Sequence, residues 1–211
     1  MNQATFETRL RAGEAHLRRA DPLMRRLIDR HGECGMAPNW KRSPYQALVS
    51  AIIGQQLAGR AAAAIHQRFV DLFPGHAFPP PELVAMASDE MLRSAGLSRQ
   101  KLSYIRDIAA KAVDGDIPVR RAGLARMSDE AIIERFTEAR GVGRWTVEML
   151  LMFTLGRLDV LPVDDWGVRS GYTRARRLDE PVAPRELAAI GERWAPYRSV
   201  AAWYLWRAAD A

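Results

Sequence analysis

The stretch EARGVGRWTVEMLLMFTLGRLDVLPVDDWGVRSGY, from Glu138 to Tyr172, constrains this chain more than any other. It sets a Gly141-Val142-Gly143 hairpin before an apolar helix that begins near Arg144. A turn with two adjacent carboxylates, Asp164 and Asp165, then opens a further helix. A chain reversing between helices needs backbone conformations that glycine reaches cheaply, and glycine also lets another backbone come close. The helix after the hairpin leaves its first amides without intrahelical partners. Those amides and the helix dipole attract an anion, most often phosphate. Thr146, in the same first turn, offers a hydroxyl to such an anion. Taken alone, a G-x-G of this kind is first of all a plain helix–turn–helix connection.

The rest of the chain reads as helix after helix. Residues 5–19 and 21–31 make two helices broken at Asp21-Pro22, and residues 32–39 form a loop. Ser43 before Pro44 is an N-cap followed by proline at the first helical position. Tyr45, Leu48, Val49, Ile52 and Ile53 then recur at helical spacing. A second helix covers about 58–73, punctuated by Pro74 and the Pro79-Pro80-Pro81 run. Short helices follow at 81–87 and 88–95. Ser98 caps a helix that runs to Val113, and Ser128 caps the one that enters the hairpin. After the two-aspartate turn come helices at 165–178, 184–194 and 197–209. Strand signals are few and short, so the expected class is all-α.

The chain has 211 residues, of which 48% are hydrophobic, enough for one domain or two small lobes. No run of about 18 apolar residues is present, so no membrane span is expected. The single Cys34 excludes an intramolecular disulfide and a four-cysteine cluster, and with the absence of a signal-peptide pattern it points to a cytoplasmic, bacterial-type protein acting at the nucleoid. His16, His31, His66 and His76 show no metal-ligand spacing, so no metal site is expected from side chains. The formal net charge of +6 suits a polyanionic partner. Lysine occurs only at 41, 101 and 111, and the other cations are arginines, which suit phosphate contacts and also follow from a GC-rich genome.

Gly141-Val142-Gly143-Arg144-Trp145-Thr146, then Leu161-Pro162 and Asp164-Asp165, resemble the helix-hairpin-helix DNA glycosylases. Ile52-Ile53-Gly54-Gln55-Gln56-Leu57 and the segment from Arg193-Trp194 through Arg198-Ser199 to Trp206 extend the match to about residues 44–207. Within the superfamily the chain is most similar to the alkylpurine, or 3-methyladenine DNA glycosylase II, branch. The resemblance implies two helical lobes flanking an active-site cleft. Residues 1–43 would pack with a C-terminal lobe of residues 157–211 that carries the catalytic aspartate. Residues 44–156 would form the central lobe ending in the hairpin. The implied substrate is double-stranded DNA containing alkylated bases such as 3-methyladenine and 7-methylguanine, and a monomer is expected.

Cleaving an N-glycosidic bond builds positive charge on the deoxyribose, which a carboxylate near C1′ can stabilise, or the carboxylate can activate a water. The resemblance puts that carboxylate at Asp165. Asp164 is the competitor, and one of the two is expected to cap the helix starting near Trp166. Strand-cleaving members of the superfamily carry a nucleophilic lysine two residues after the second hairpin glycine. Here that position is Trp145, which implies base release without strand cleavage, and the missing cysteines imply no iron–sulfur cluster.

Trp145 and Trp206 are the expected walls of a base pocket, because an indole face both stacks on a base and attracts one made cationic by alkylation. Met149 stands where close relatives place an aromatic, which implies a looser pocket. Trp194 and Trp203 read as core. Base extrusion leaves a gap that a side chain must fill. The resemblance puts this wedge at Gln56, with Leu57 as second choice. Gly141, Gly143, Arg144 and Thr146 would hold DNA phosphate, and Arg60 would meet phosphate or water. No cofactor is required for the hydrolysis, although hairpins of this family often hold a monovalent cation on backbone carbonyls. The competing reading is a non-enzymatic DNA-binding or damage-sensing protein, which would need the hairpin and the charge but neither Asp165 nor Gln56.

Overall fold

The structure, a computed structural model, describes residues 3–210. Among these residues it is all helical, with no strand. In chain order the α-helices are α1 (Gln3–Ala20), α2 (Pro22–His31), α3 (Pro44–Gly54), α4 (Gly59–Asp71), α5 (Pro81–Met86), α6 (Asp89–Ser94), α7 (Arg99–Val113), α8 (Asp129–Thr137), α9 (Arg144–Phe153), α10 (Trp166–Arg176), α11 (Pro184–Gly191) and α12 (Arg198–Asp210). Single 3-10 turns lie at Arg121–Leu124 and Glu192–Trp194. No helix among the described residues is long and apolar enough to cross a membrane.

The helix starts follow from side-chain chemistry. Ser43, Ser88, Ser98 and Ser128 each accept a hydrogen bond from the amide three residues on, satisfying a donor that the helix itself cannot. Asp21 does the same for Leu23, with Pro22 next in the chain, so α1 and α2 break where the sequence pattern predicts.

Contacts divide the chain into two compact units. One joins the residues up to Pro38 with those from Leu151 onward, and the other spans Asn39–Leu150. The first unit is organised around α12, which buries Val200, Ala201, Tyr204, Leu205 and Ala208. Gly171 of α10 makes its packing against α12 possible, since a Cβ there would sit 1.8 Å from the Leu205 carbonyl oxygen. Trp194 is fully buried, and its indole N–H donates to Asp21 Oδ2 at 3.0 Å, as its expected core role requires. Trp203 is only half-buried, set edge-on to Tyr204. Glu14, also buried, accepts from the Tyr204 hydroxyl and pairs with Arg11.

In the second unit, α3 supplies an apolar core of Leu48, Val49, Ile52 and Ile53, met by Ile105 and Ile108 of α7 and by Phe69 of α4. The Phe69, Phe73 and Phe78 rings cluster there, with Tyr45 edge-on to Phe78. Burial pushes the Tyr45 phenol well above its usual pKa.

Candidate nucleic-acid interface and active site

The hairpin between α8 and α9 is built on one side by α7. Gly141 takes a φ of +77°, a left-handed conformation that disfavours any side chain. A Cβ there would also lie 2.2 Å from the Tyr104 ring. Both reasons for glycine at 141 are thus internal to the fold. Gly143 differs: it has no positive φ, and nothing lies within 4 Å of where its Cβ would be. Its side of the hairpin is open, directly before the first amides of α9.

Three residues of α7, spaced to share one face, hold this region. Tyr104 lies beneath Gly141, and Asp107 accepts from the Arg140 amide at 2.9 Å. Lys101 Nζ donates to the carbonyls of Ile53 (2.8 Å) and Gln55 (2.7 Å), closing the C-terminal end of α3. Its partial burial lowers the ammonium pKa. Gln55 Nε2 in turn donates to the Gly141 carbonyl at 3.0 Å, tying the end of α3 to the hairpin. Gln56 follows in a left-handed conformation with φ +57°, a state a non-glycine residue keeps only when its surroundings impose it. Its side chain is exposed, and Leu57 beside it is 37% exposed. Both wedge candidates are therefore at the surface. The sequence reading gave Gln55, Lys101, Tyr104 and Asp107 no role at the hairpin. The available signal was Lys101, a rare lysine in an arginine-rich chain, with Tyr104 and Asp107 at three-residue steps after it.

Two expected phosphate contacts fare differently. Thr146 is buried, with 7% of its surface exposed, so its hydroxyl has little to offer a phosphate. The apolar turn of α9 draws it inward with Val147. Arg144 points its fork at Glu130, with two bonds of 2.8 Å, and its Nε reaches Glu148 at 3.2 Å. These carboxylates raise the Arg144 pKa, the Glu130 hydrogen bond most, and the guanidinium serves the junction of α8 and α9. Trp145 is 48% exposed at the start of α9, and Met149, one turn on, is half-buried.

In the first unit Asp165 is the N-cap of α10. Its Oδ1 accepts from the Val168 amide at 2.8 Å and from the Trp206 indole N–H at 2.8 Å. The cap that either aspartate could have supplied thus falls to Asp165, while Asp164 is exposed in the preceding turn. Gly167 permits this arrangement, since a Cβ there would meet Trp206 Cδ1 at 2.8 Å. Phe153 lies beside Trp206, ring centroids 5.9 Å apart. Trp166, immediately after Asp165, is 63% exposed, with the Arg169 guanidinium over its ring. Neither Phe153 nor Trp166 was singled out from sequence, although Trp166 adjoins the carboxylate. Arg198, an element of the expected match, is bound through its fork to Asp159. No group of three His, Cys, Asp or Glu residues that could hold a metal ion occurs among the described residues.

One unit holds helices joined by a glycine hairpin and the other a capping aspartate at a helix start, and comparison with known proteins supplies the family. Residues 49–196 match the HhH-GPD superfamily of base excision DNA repair proteins, and this chain belongs to that superfamily. It is 40% identical over 205 residues to DNA-3-methyladenine glycosylase 1 of Schizosaccharomyces pombe, covering 95% of this chain and 88% of that protein. The solved structure of the S. pombe 3-methyladenine DNA glycosylase in complex with abasic DNA superposes with a TM-score of 0.81 at 38% identity, over 93% of this chain and 95% of that one. A DNA-3-methyladenine glycosidase structure from Bacillus halodurans gives 0.84 at 38% identity, over 93% and 88%.

Proposed function

We propose that this protein is a DNA glycosylase that extrudes alkylated bases from duplex DNA and hydrolyses their N-glycosidic bond, leaving the strand intact. The observation that carries the reading is Asp165: a carboxylate at a helix start, oriented by an amide and an indole N–H, in a chain of this superfamily. In the reaction the bond from C1′ to the base nitrogen breaks and its electron pair leaves with the base. A water oxygen bonds to C1′ and gives up a proton. Asp165 stabilises the developing positive charge or accepts that proton. A purine made cationic by alkylation at N3 or N7 is already a good leaving group, so a strong general acid is not needed. Trp145 and Trp206 would stack on such a base, and Gln56 would fill the gap it leaves.

The absence of strand cleavage rests on the lysines. All three precede residue 112, and Trp145 stands at the position where a nucleophilic lysine would. Lys101 is committed to two carbonyls, and Lys111 lies 4.0 Å from Glu138. Incubation with methylated duplex should release free base, and the strand should break only after alkali. Strand cleavage without alkali, or a covalent complex trapped by borohydride, would refute this.

The hairpin is proposed as a backbone clamp on DNA phosphates, with affinity falling steeply as salt rises. A monovalent cation held on hairpin carbonyls would add positive charge facing phosphate; the carbonyls of Ala139, Gly141 and Gly143 already accept hydrogen bonds, from Val142 N, Gln55 Nε2 and Val147 N. Gly143→Val adds bulk where a Cβ meets nothing within 4 Å. It should weaken binding to lesion and undamaged duplex alike. A loss confined to lesion DNA would show that the hairpin does more than hold backbone.

A further inference from the structure

In the first unit, a cavity of about 530 Å³ opens where the C-terminal end of α10 meets α2. Five arginines line it: Arg26 and Arg30 from consecutive turns of α2, and Arg174, Arg176 and Arg177 from the end of α10. Leu23, Leu27 and Ala208 are its buried apolar floor. No acidic residue lines it. The ion pairs of this unit engage Arg11, Arg18, Arg198 and Arg207 instead. None of the five cavity arginines forms an ion pair among the described residues; Arg174 alone is seen to spend a donor, on the Ala209 carbonyl at 2.7 Å. Asp165 caps the opposite end of α10, roughly 16 Å away for a helix of this length. The cavity is therefore separate from the proposed catalytic carboxylate.

Five like charges around one concavity repel each other, and a bound polyanion would relieve that cost. Arg177 sharpens the point, since it holds a left-handed φ of +57° at the C-cap of α10, where glycine is customary. Guanidinium forks match phosphate oxygens two at a time. The volume falls within the range of small-ligand sites, and the apolar floor suits a ligand with a non-polar body. A polyphosphate concentrates several negative charges in such a volume, whereas a peptide would have to bring several carboxylates on separate residues. We propose that this cavity binds closely spaced phosphate groups, either the polyphosphate of a free nucleotide or successive phosphodiesters of a nucleic-acid backbone.

Titration calorimetry of the whole protein at low salt tests this with inorganic tripolyphosphate, ATP, an undamaged DNA duplex and a glutamate-rich peptide as probes. Tripolyphosphate should bind with one site per chain. Arg26→Ala and Arg176→Ala should each weaken it about tenfold or more, the loss of a charge-assisted contact. Arg26→Lys keeps the charge but loses the fork, and should recover only part of the affinity. Single-turnover base release at saturating protein, which does not depend on duplex affinity, should be unchanged in these variants, because none of the substituted residues belongs to the proposed catalytic or clamping groups. Tighter binding of ATP than of tripolyphosphate identifies a nucleotide. Competition by duplex that disappears in the Arg26→Ala variant identifies nucleic-acid backbone. Absence of tripolyphosphate binding, binding indifferent to the arginine variants, or equal affinity for the glutamate-rich peptide overturns the proposal. Loss of base release in the wild-type assay would instead count against the glycosylase reading and leave these binding results standing.

Discussion

Asp21 and Asp165 are built alike and are exposed differently. Each is the N-cap of a helix, and each accepts a tryptophan indole N–H from a distant part of the chain: Trp194 at Asp21 and Trp206 at Asp165. Asp21 is 5% exposed and divides its bonds, with Leu23 N on Oδ1 and the indole on Oδ2. Asp165 is only half-buried and gathers the Val168 amide and the Trp206 indole on the same oxygen, Oδ1. The same local device thus locks a core in one place and, in the other, fixes the orientation of a carboxylate that solvent reaches. If Asp165 acts in catalysis as proposed, capping geometry does not separate a structural aspartate from a chemical one, and burial is the difference between the two.

The largest expected effect breaks the pair apart at Asp165. Asp165→Asn removes the charge, but an asparagine oxygen can still accept both Oδ1 bonds, and Asn caps well. Stability should hold while single-turnover base release falls about 10²–10³-fold, or about 3–4 kcal/mol, the scale of one lost electrostatic stabiliser. Duplex affinity should survive, since a carboxylate near phosphates repels them. The control is Asp164→Asn, an exposed change with little expected effect on the rate. If Asp164→Asn loses activity and Asp165→Asn keeps it, the assignment is reversed. If neither changes the rate, both carboxylates are structural and the mechanism fails.

Asp21→Asn should do the opposite. Its two oxygens serve two different donors, so one bond must be replaced by an amide NH₂ facing another N–H inside the core. A buried donor left unmatched costs about 1–3 kcal/mol. Thermal unfolding should shift down, while base release per folded molecule stays at the wild-type rate. A loss of rate without a loss of stability would mean that the two aspartates are not distinguished by burial.

The same contrast explains how much could be read from the chain beforehand. Helix starts were legible because Ser43, Ser98, Ser128 and Asp21 satisfy amides only a few residues away, a relation contained in local spacing. The class of the fold and the positions of the hairpin and the two aspartates were legible for the same reason. Which aspartate caps was not, because the choice depends on Trp206, 41 residues on, and on the glycine at 167 that lets the indole approach. The support given to Gln56 and the hairpin by Lys101, Tyr104 and Asp107 was hidden likewise, being made across 33 to 48 residues, in part to backbone carbonyls that leave no side-chain trace. The surroundings of Thr146 and Arg144 were hidden for a related reason: Thr146 is buried on the inner side of α9, and Arg144, half exposed, is paired with Glu130 and Glu148.

The smallest expected effect tests the indole itself. Trp206→Phe keeps a ring beside Phe153 and above Gly167 but removes the N–H that reaches Asp165 Oδ1. The Val168 amide remains, so the carboxylate keeps its place at the helix start and loses only the indole donor. Because the site is half-open, water can replace the lost donor, and the cost should be about 1 kcal/mol, a fall of roughly fivefold in base release. Duplex affinity and thermal stability should change little. Trp194→Phe is the matched change at Asp21, where burial excludes water, and there the cost should appear in stability alone. Measured together, the two variants ask whether a shared hydrogen bond serves orientation in one unit and cohesion in the same unit's core. If Trp206→Phe lowers stability as much as Trp194→Phe and leaves base release at the wild-type rate, the indole at Asp165 is packing, and the orientation of the carboxylate does not rest on it.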